Sequence, residues 1–175
     1  MEEIDTLTLR RAAHKRPDAF HAVYDWYAPT VWKQVYQTVY GDREAAKDIV
    51  QEVFIRVYTR LHTFKHDAAF STWLYRITYN CAMTWLKQRH REHTRFLTME
   101  PVSEHAPHGF EDALFVRRLL DTLQPQQRFM LIAREITGLS HEEIAAVMDK
   151  NPGAVRTELH RLKKKLQKEF SYEPA

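Results

Sequence analysis

The sequence predicts an all-α protein: two small helical domains joined by a linker, the C-terminal one a helix-turn-helix. Glycine and proline are sparse, 4 and 7 in 175 residues, and helix formers fill the stretches between them. Apolar residues recur at helical spacing, and no alternation of period two persists for more than a few residues. From Thr98 to Gly109, with Pro101, Ser103 and Pro107, that periodicity lapses. The divisions that follow are a first domain at 1–97, a linker at 98–110 and a second domain at 111–175. The linker, which carries His105 and His108, is expected to leave the domains movable, so that a partner could clamp them together.

In the first domain, helices are expected to break near Pro17, Pro29, Gly41 and across His62 to Ala69. Between Asp48 and Leu61, the residues Val50, Val53, Phe54, Val57 and Leu61 share one face and can bury together. Asp48, Gln51, Glu52, Ile55 and Thr59 share the other. Ile55 is an aliphatic residue among carboxylates and a glutamine, a suitable anchor for a basic partner helix.

The next helix, Phe70 to Arg95, packs Phe70, Trp73, Tyr75, Tyr79 and Trp85 together and then releases Lys87, Arg89, Arg91 and Arg95. At roughly 100° per residue, Trp73, Arg76, Asn80, Thr84 and Lys87 fall on one stripe, beside an apolar face of Leu74, Ile77, Cys81 and Trp85. Any one ring is more often core than surface. A stripe holding one ring, two cations and two hydrogen-bonding groups is what single-stranded DNA needs: a π face for an unstacked base, donors for base edges and charge for phosphates.

In the second domain, Pro125 starts a helix and Gly138 is placed to end it. Ser140-His141-Glu142-Glu143 is a capping box that opens a short helix carrying Ile144, Val147 and Met148 inward and stopping at Asp149-Lys150. Asn151 caps the following helix and Pro152 takes its first position, so two helices joined by about three to four residues form a helix-turn-helix. Val155, Leu159, Leu162 and Leu166 make the packing stripe of the second helix. Arg156, Thr157, His160 and Arg161 project from its opposite side, where a recognition helix enters the major groove. Lys163, Lys164 and Lys165 lie further along, suited to phosphates. Net charge is only +3, but from Lys150 to Lys168 seven cations face the single anion Glu158.

Other classes find little support. The lone Cys81 allows no disulfide framework and fits a reducing cytosol. Met1 to Asp5 is acidic and lacks the apolar run of a signal peptide, and no stretch approaches the roughly 18 apolar residues of a membrane span, so a cytoplasmic protein without membrane insertion is expected. The places to look for an enzyme are His62 and His66 beside Asp67, and His141 beside Glu142 and Glu143. Neither has convincing metal-ligand spacing, so no catalytic, cofactor-binding or metal-binding residue is expected.

The segments Asp42-Arg43-Glu44-Ala45-Ala46-Lys47-Asp48-Ile49-Val50-Gln51-Glu52-Val53-Phe54 and Phe70-Ser71-Thr72-Trp73-Leu74-Tyr75-Arg76-Ile77 together resemble the bacterial extracytoplasmic-function sigma factors. Ala19-Phe20 with Tyr24, Tyr27 and Ala28-Pro29 adds to the likeness, as does Gly153-Ala154-Val155-Arg156-Thr157 leading into Leu159-His160-Arg161. The order and spacing of these motifs cover nearly the whole chain. The resemblance implies a promoter-specificity subunit of bacterial RNA polymerase without catalytic activity of its own. Asp48, Gln51, Glu52 and Ile55 would then bind core RNA polymerase, on a coiled coil of its largest subunit. The loop and helix bearing Phe64, Lys65, Phe70, Ser71, Trp73, Arg76, Asn80 and Lys87 would open and read the minus-ten promoter element, with the loop capturing a flipped base of the non-template strand. Asn151, Arg156, Thr157, His160, Arg161, Lys163 and Lys164 would read the minus-thirty-five element as duplex. An anti-sigma factor is the implied regulatory partner.

The chain departs from the family pattern in three places. Glu158 stands where relatives are often basic, which turns it away from phosphate or narrows the sequence choice. Asp149-Lys150 replaces a small residue and an apolar one, and the loop from His62 to Ala69 is particular to this chain. The alternative from another class is a stand-alone dimeric helix-turn-helix regulator, which would need a two-fold interface and has no use for a single-strand surface.

Overall fold

The computed structural model describes residues 3–95, 120 and 122–170; the expected linker lies outside them. Among the described residues there are seven principal α-helices and no strand. These are α1 (Thr6–Ala13), α2 (Pro17–Thr38), α3 (Arg43–Arg60), α4 (Phe70–Arg95), α5 (Pro125–Glu135), α6 (His141–Met148) and α7 (Pro152–Phe170), with a 3₁₀ turn at Leu61–Thr63 between α3 and α4.

Local chemistry accounts for the helix ends. Asp5 caps α1 by accepting from the Thr8 amide at 2.8 Å, and Asp42 caps α3 by accepting from the Ala45 amide at 3.0 Å. Ser140 Oγ accepts from the Glu143 amide at 3.1 Å while Glu143 accepts from the Ser140 amide at 2.7 Å, completing the expected capping box of α6. Past α5 the chain turns at Gly138, whose φ of +70° is costly for a residue with a Cβ, and the Leu139 amide reaches back to Ala133 O at 3.1 Å.

Pro29 does not break the chain as expected: α2 runs through it from Pro17 to Thr38. Pro29 lies on the exposed side, and Asp25, whose carbonyl loses its amide partner, is exposed as well. Val23, Tyr27, Val31 and Val35 are fully buried on the other side and hold both halves of the helix against their neighbours.

Helix α1 packs on α2, α2 on α3 and α3 on α4. Their shared core includes Val23, Tyr27, Val53, Val57, Leu74 and Tyr75, each at 0% exposure. Burying side chains of this kind contributes roughly 1.5–3 kcal/mol each. Phe129, Met130, Ile144 and Val155, from α5, α6 and α7, continue the same apolar core into the C-terminal half. The two halves also meet directly, with α2 and α4 packed on α5 and α6. The sequence reading anticipates two movable domains but not this contact.

Candidate functional site

Three surfaces carry the predicted residues. The first is on α3. Its apolar stripe of Val50, Val53, Phe54 and Val57 is buried, which leaves Asp48, Gln51, Glu52 and Ile55 exposed on the other side. Ile55 is 50% exposed. With Gln51 it edges an open, mainly apolar groove of about 540 Å³ that is also lined by Phe20, Tyr24, Trp32 and Tyr58. Glu52 accepts from Arg56 Nε at 2.6 Å, so one carboxylate of the stripe is already held by a cation on its own helix.

The second surface runs along α4. Arg76, Asn80, Thr84 and Lys87 are exposed and Trp73 is half-buried, so the expected stripe is present. Three other residues assigned to it from the sequence behave differently. Phe64, Phe70 and Ser71 are buried at 9%, 2% and 2% exposure. Tyr27, Phe64, Phe70 and Trp73 build a cluster of tilted and edge-on rings with centroids 5.2–5.7 Å apart. In this arrangement Phe64 and Phe70 pack beneath Trp73 and the loop, and Lys65 faces solvent together with its neighbours from His66 to Ala69. The Ser71 amide, at the start of α4, donates to the Glu3 carboxylate at 3.3 Å, and Tyr27 Oη donates to the same group at 3.2 Å. Nothing in the local sequence marks Glu3 as a partner of residues 24 and 68 positions away. Burial pushes the Tyr27 and Tyr75 phenols well above their ordinary range, so both stay neutral.

The third surface is α7. Val155, Leu159 and Leu162 are buried at 0–5% exposure, and Arg156, Thr157, His160, Arg161, Lys163 and Lys164 all project into solvent. Asn151 Oδ1 accepts from the Gly153 amide at 2.8 Å, and Pro152 begins the helix as expected. The turn before it hinges on Asp149, in the left-handed region at φ 55°, ψ 50°. Lys150 pairs with Glu158 at 3.3 Å, which ties the turn to the helix and occupies the departing acidic residue. Two further ion pairs, Arg156 with Glu142 at 3.7 Å and Lys163 with Glu135 at 2.8 Å, bind this helix to α6 and α5 at exposed positions.

Among the described residues no group of three His, Cys, Asp or Glu side chains could hold a metal ion, and no helix is long and apolar enough to cross a membrane.

An exposed acidic and apolar stripe, an aromatic-backed cationic helix and a basic recognition helix belong together in one class of protein. The chain matches the family Sigma-70 region 2 over residues 23–92 and Sigma-70, region 4 over residues 116–166, so it is a promoter-specificity subunit of RNA polymerase. It is 36% identical over 129 residues to the ECF RNA polymerase sigma-E factor of Escherichia coli strain K12, an alignment covering 65% of this chain and 68% of that one. The ECF RNA polymerase sigma factor BldN of Streptomyces coelicolor is 33% identical over 162 residues, covering 85% and 59%. The fold is also that of the sigma factor RpoE solved with the anti-sigma factor NepR from Bartonella quintana, with a TM-score of 0.75 at 22% identity over 89% of this chain and 98% of that one. The chain belongs to the ECF RNA polymerase sigma factors and directs promoter recognition by RNA polymerase through regions 2 and 4.

Proposed function

We propose that each of these surfaces has a separate task in promoter recognition, within a region 2 domain at 1–97 and a region 4 domain at 111–175 that are joined by residues 98–110. Asp48, Gln51, Glu52 and Ile55 dock core RNA polymerase. The observation that carries this reading is the half-exposed Ile55 beside an apolar groove and between acidic residues, which fits a basic helix with an apolar ridge. Lys65, Trp73, Arg76, Asn80 and Lys87 take the opened non-template strand of the minus-ten element, and Phe64, Phe70 and Ser71 keep the loop and the ring in place. Asn151, Arg156, Thr157, His160, Arg161, Lys163 and Lys164 take the minus-thirty-five duplex, with the arginines reading base edges and the lysines contacting phosphates.

The protein works in the cytoplasm, where the polymerase is, and an anti-sigma factor covers its binding faces. Support for that partner comes from relatives solved with one: RpoE with NepR, and CnrH with the cytosolic domain of CnrY. The test is binding of purified core polymerase to Ile55→Asp. The side chain is half exposed, so the variant should keep its helicity and melting temperature while core affinity falls at least about tenfold, as for a hot-spot residue. Unchanged core affinity would remove Ile55 from the docking face.

A further inference from the structure

The loop from His62 to Ala69 runs into α4 at a position that cannot cap the helix. Helix α4 begins at Phe70, so the capping position falls to Ala69, whose methyl group accepts no hydrogen bond. The positive end of a helix 26 residues long therefore has no side-chain acceptor where one ordinarily stands.

The acceptor comes from 68 positions away. Both carboxylate oxygens of Glu3 lie 3.3 Å from the amide nitrogen of Ser71, the second residue of the helix. Tyr27 Oη donates to the same carboxylate at 3.2 Å and accepts from the Ile4 amide at 3.3 Å, so the phenol also fixes the backbone that carries Glu3. Among the described residues the hydrogen-bond partners of this carboxylate are neutral donors, an amide and a phenol. Tyr75 Oη, buried with no hydrogen-bond partner among the described residues, is near enough for the Glu3 charge to oppose its ionisation. The surroundings of Glu3 are rich in donors and suited to an anion.

The same segment holds the other end of the loop. Leu9 and Ala12 are buried and anchor α1 on α2, and α1 also packs against the 3₁₀ turn at Leu61–Thr63. Residues 3–13 thus touch the loop at its entry, through α1, and at its exit, through Glu3. Between these points Lys65 to Ala69 are exposed, so the shape of the loop is set from its two ends and by Phe64 beneath Trp73.

We propose that Glu3 is a positioning residue for reading the minus-ten strand: it caps α4 from outside the helix and, with α1, braces the loop in the form that receives DNA. The proposal rests on the assignment of this loop and α4 to the minus-ten element. Glu3 is not itself a DNA contact, because a carboxylate repels phosphates. That repulsion makes the sign of the effect diagnostic. Removing a negative charge beside a DNA-binding face raises affinity if charge alone matters, whereas removing a brace lowers it.

The test uses holoenzyme assembled from purified core polymerase and full-length wild type, Glu3→Ala, or the double variant Glu3→Ala with Ala69→Asp. Ala69 is exposed, and aspartate there supplies a cap from within the chain's own helix start. The probe is a fluorescein-labelled single-stranded DNA selected from a random pool by wild-type holoenzyme and followed by anisotropy, with core affinity and circular dichroism measured beside it. Glu3→Ala should bind the strand about fivefold more weakly, the factor a typical helix cap is worth, at unchanged core affinity and helicity. The double variant should return to within about twofold of wild type. Equal or tighter strand binding by Glu3→Ala, or a folded double variant that stays weak, would overturn the positioning role. Should Glu3→Ala lose helicity, the double variant decides alone: recovered folding with wild-type strand affinity supports the brace, and any other result overturns it. A control variant, Asn80→Ala with Lys87→Ala, removes two exposed members of the α4 stripe. If it binds the strand like wild type, the minus-ten reading of α4 fails, and the role of Glu3 with it.

Discussion

Arg161 and Leu159 stand two residues apart on α7, one projecting into solvent and the other 2% exposed in the core, and replacing each by alanine should separate DNA reading from folding. Arg161→Ala removes no buried surface, so its effect on stability should stay within about 0.5 kcal/mol. A bidentate arginine–guanine contact contributes roughly 1–3 kcal/mol of discrimination, which is about 5- to 150-fold in relative affinity. Leu159→Ala leaves a cavity beneath the recognition helix and should cost about 2–5 kcal/mol of stability. Out of a total on the order of 5–15 kcal/mol, that is enough to loosen the helix-turn-helix. The assay is competition between a duplex selected from a random pool by the wild type and a randomised duplex, run beside thermal unfolding. Arg161→Ala should melt like the wild type and lose most of its preference. Full discrimination in Arg161→Ala, or a loss of stability equal to that of Leu159→Ala, would refute the assignment of the exposed side of α7 as the reading face.

Ser140→Ala deletes one half of the α6 capping box and should lower stability by about 1 kcal/mol, measured by urea unfolding, with Ser140→Asn close to wild type. Asp42 is partly buried, which disfavours its charge, but the Ala45 amide, the Arg89 guanidinium and the Glu44 amide outweigh this and hold the carboxyl below its ordinary value. Its contribution to stability is therefore complete above the unfolded pKa near 3.8 and lost as the pH falls from there through the lower folded value. Asp42→Asn keeps the cap and should flatten that part of the acid-unfolding profile; an unchanged slope would exclude the group. Burial pushes the Cys81 thiol up, and only partly do the cations Arg56 and Arg60 offset this, so the native protein at neutral pH should react with a thiol reagent far more slowly than the urea-unfolded chain.

Local chemistry was the most legible part of the sequence. Ser140 with Glu143, Asn151 with Pro152, and Gly138 each act within a few residues, and the structure has all of them at the ends expected. The helical period likewise separated the buried from the exposed side on α3 and α7. Pro29 misled because a break is decided by what the flanking turns bury, not by the proline alone. The burial of Phe64 and Phe70 was not legible because a ring packed beneath a loop and a ring at its surface have the same composition. The contact between the halves was out of reach, since Arg128 and Gln34 meet partners 91 and 95 positions away. An arginine at the start of a helix ordinarily reads as solvated surface, and only tertiary packing puts it inside.

Promoter-directed run-off transcription with purified core polymerase is the most direct test of the docking face, comparing wild type with the Gln51→Ala, Glu52→Lys double variant. Both side chains are exposed on α3, so the variant should fold and bind duplex DNA like the wild type. The wild type should initiate at a defined start site that the variant loses. A variant that initiates at the same site with the same efficiency would contradict the assignment of α3 as the surface that holds the polymerase.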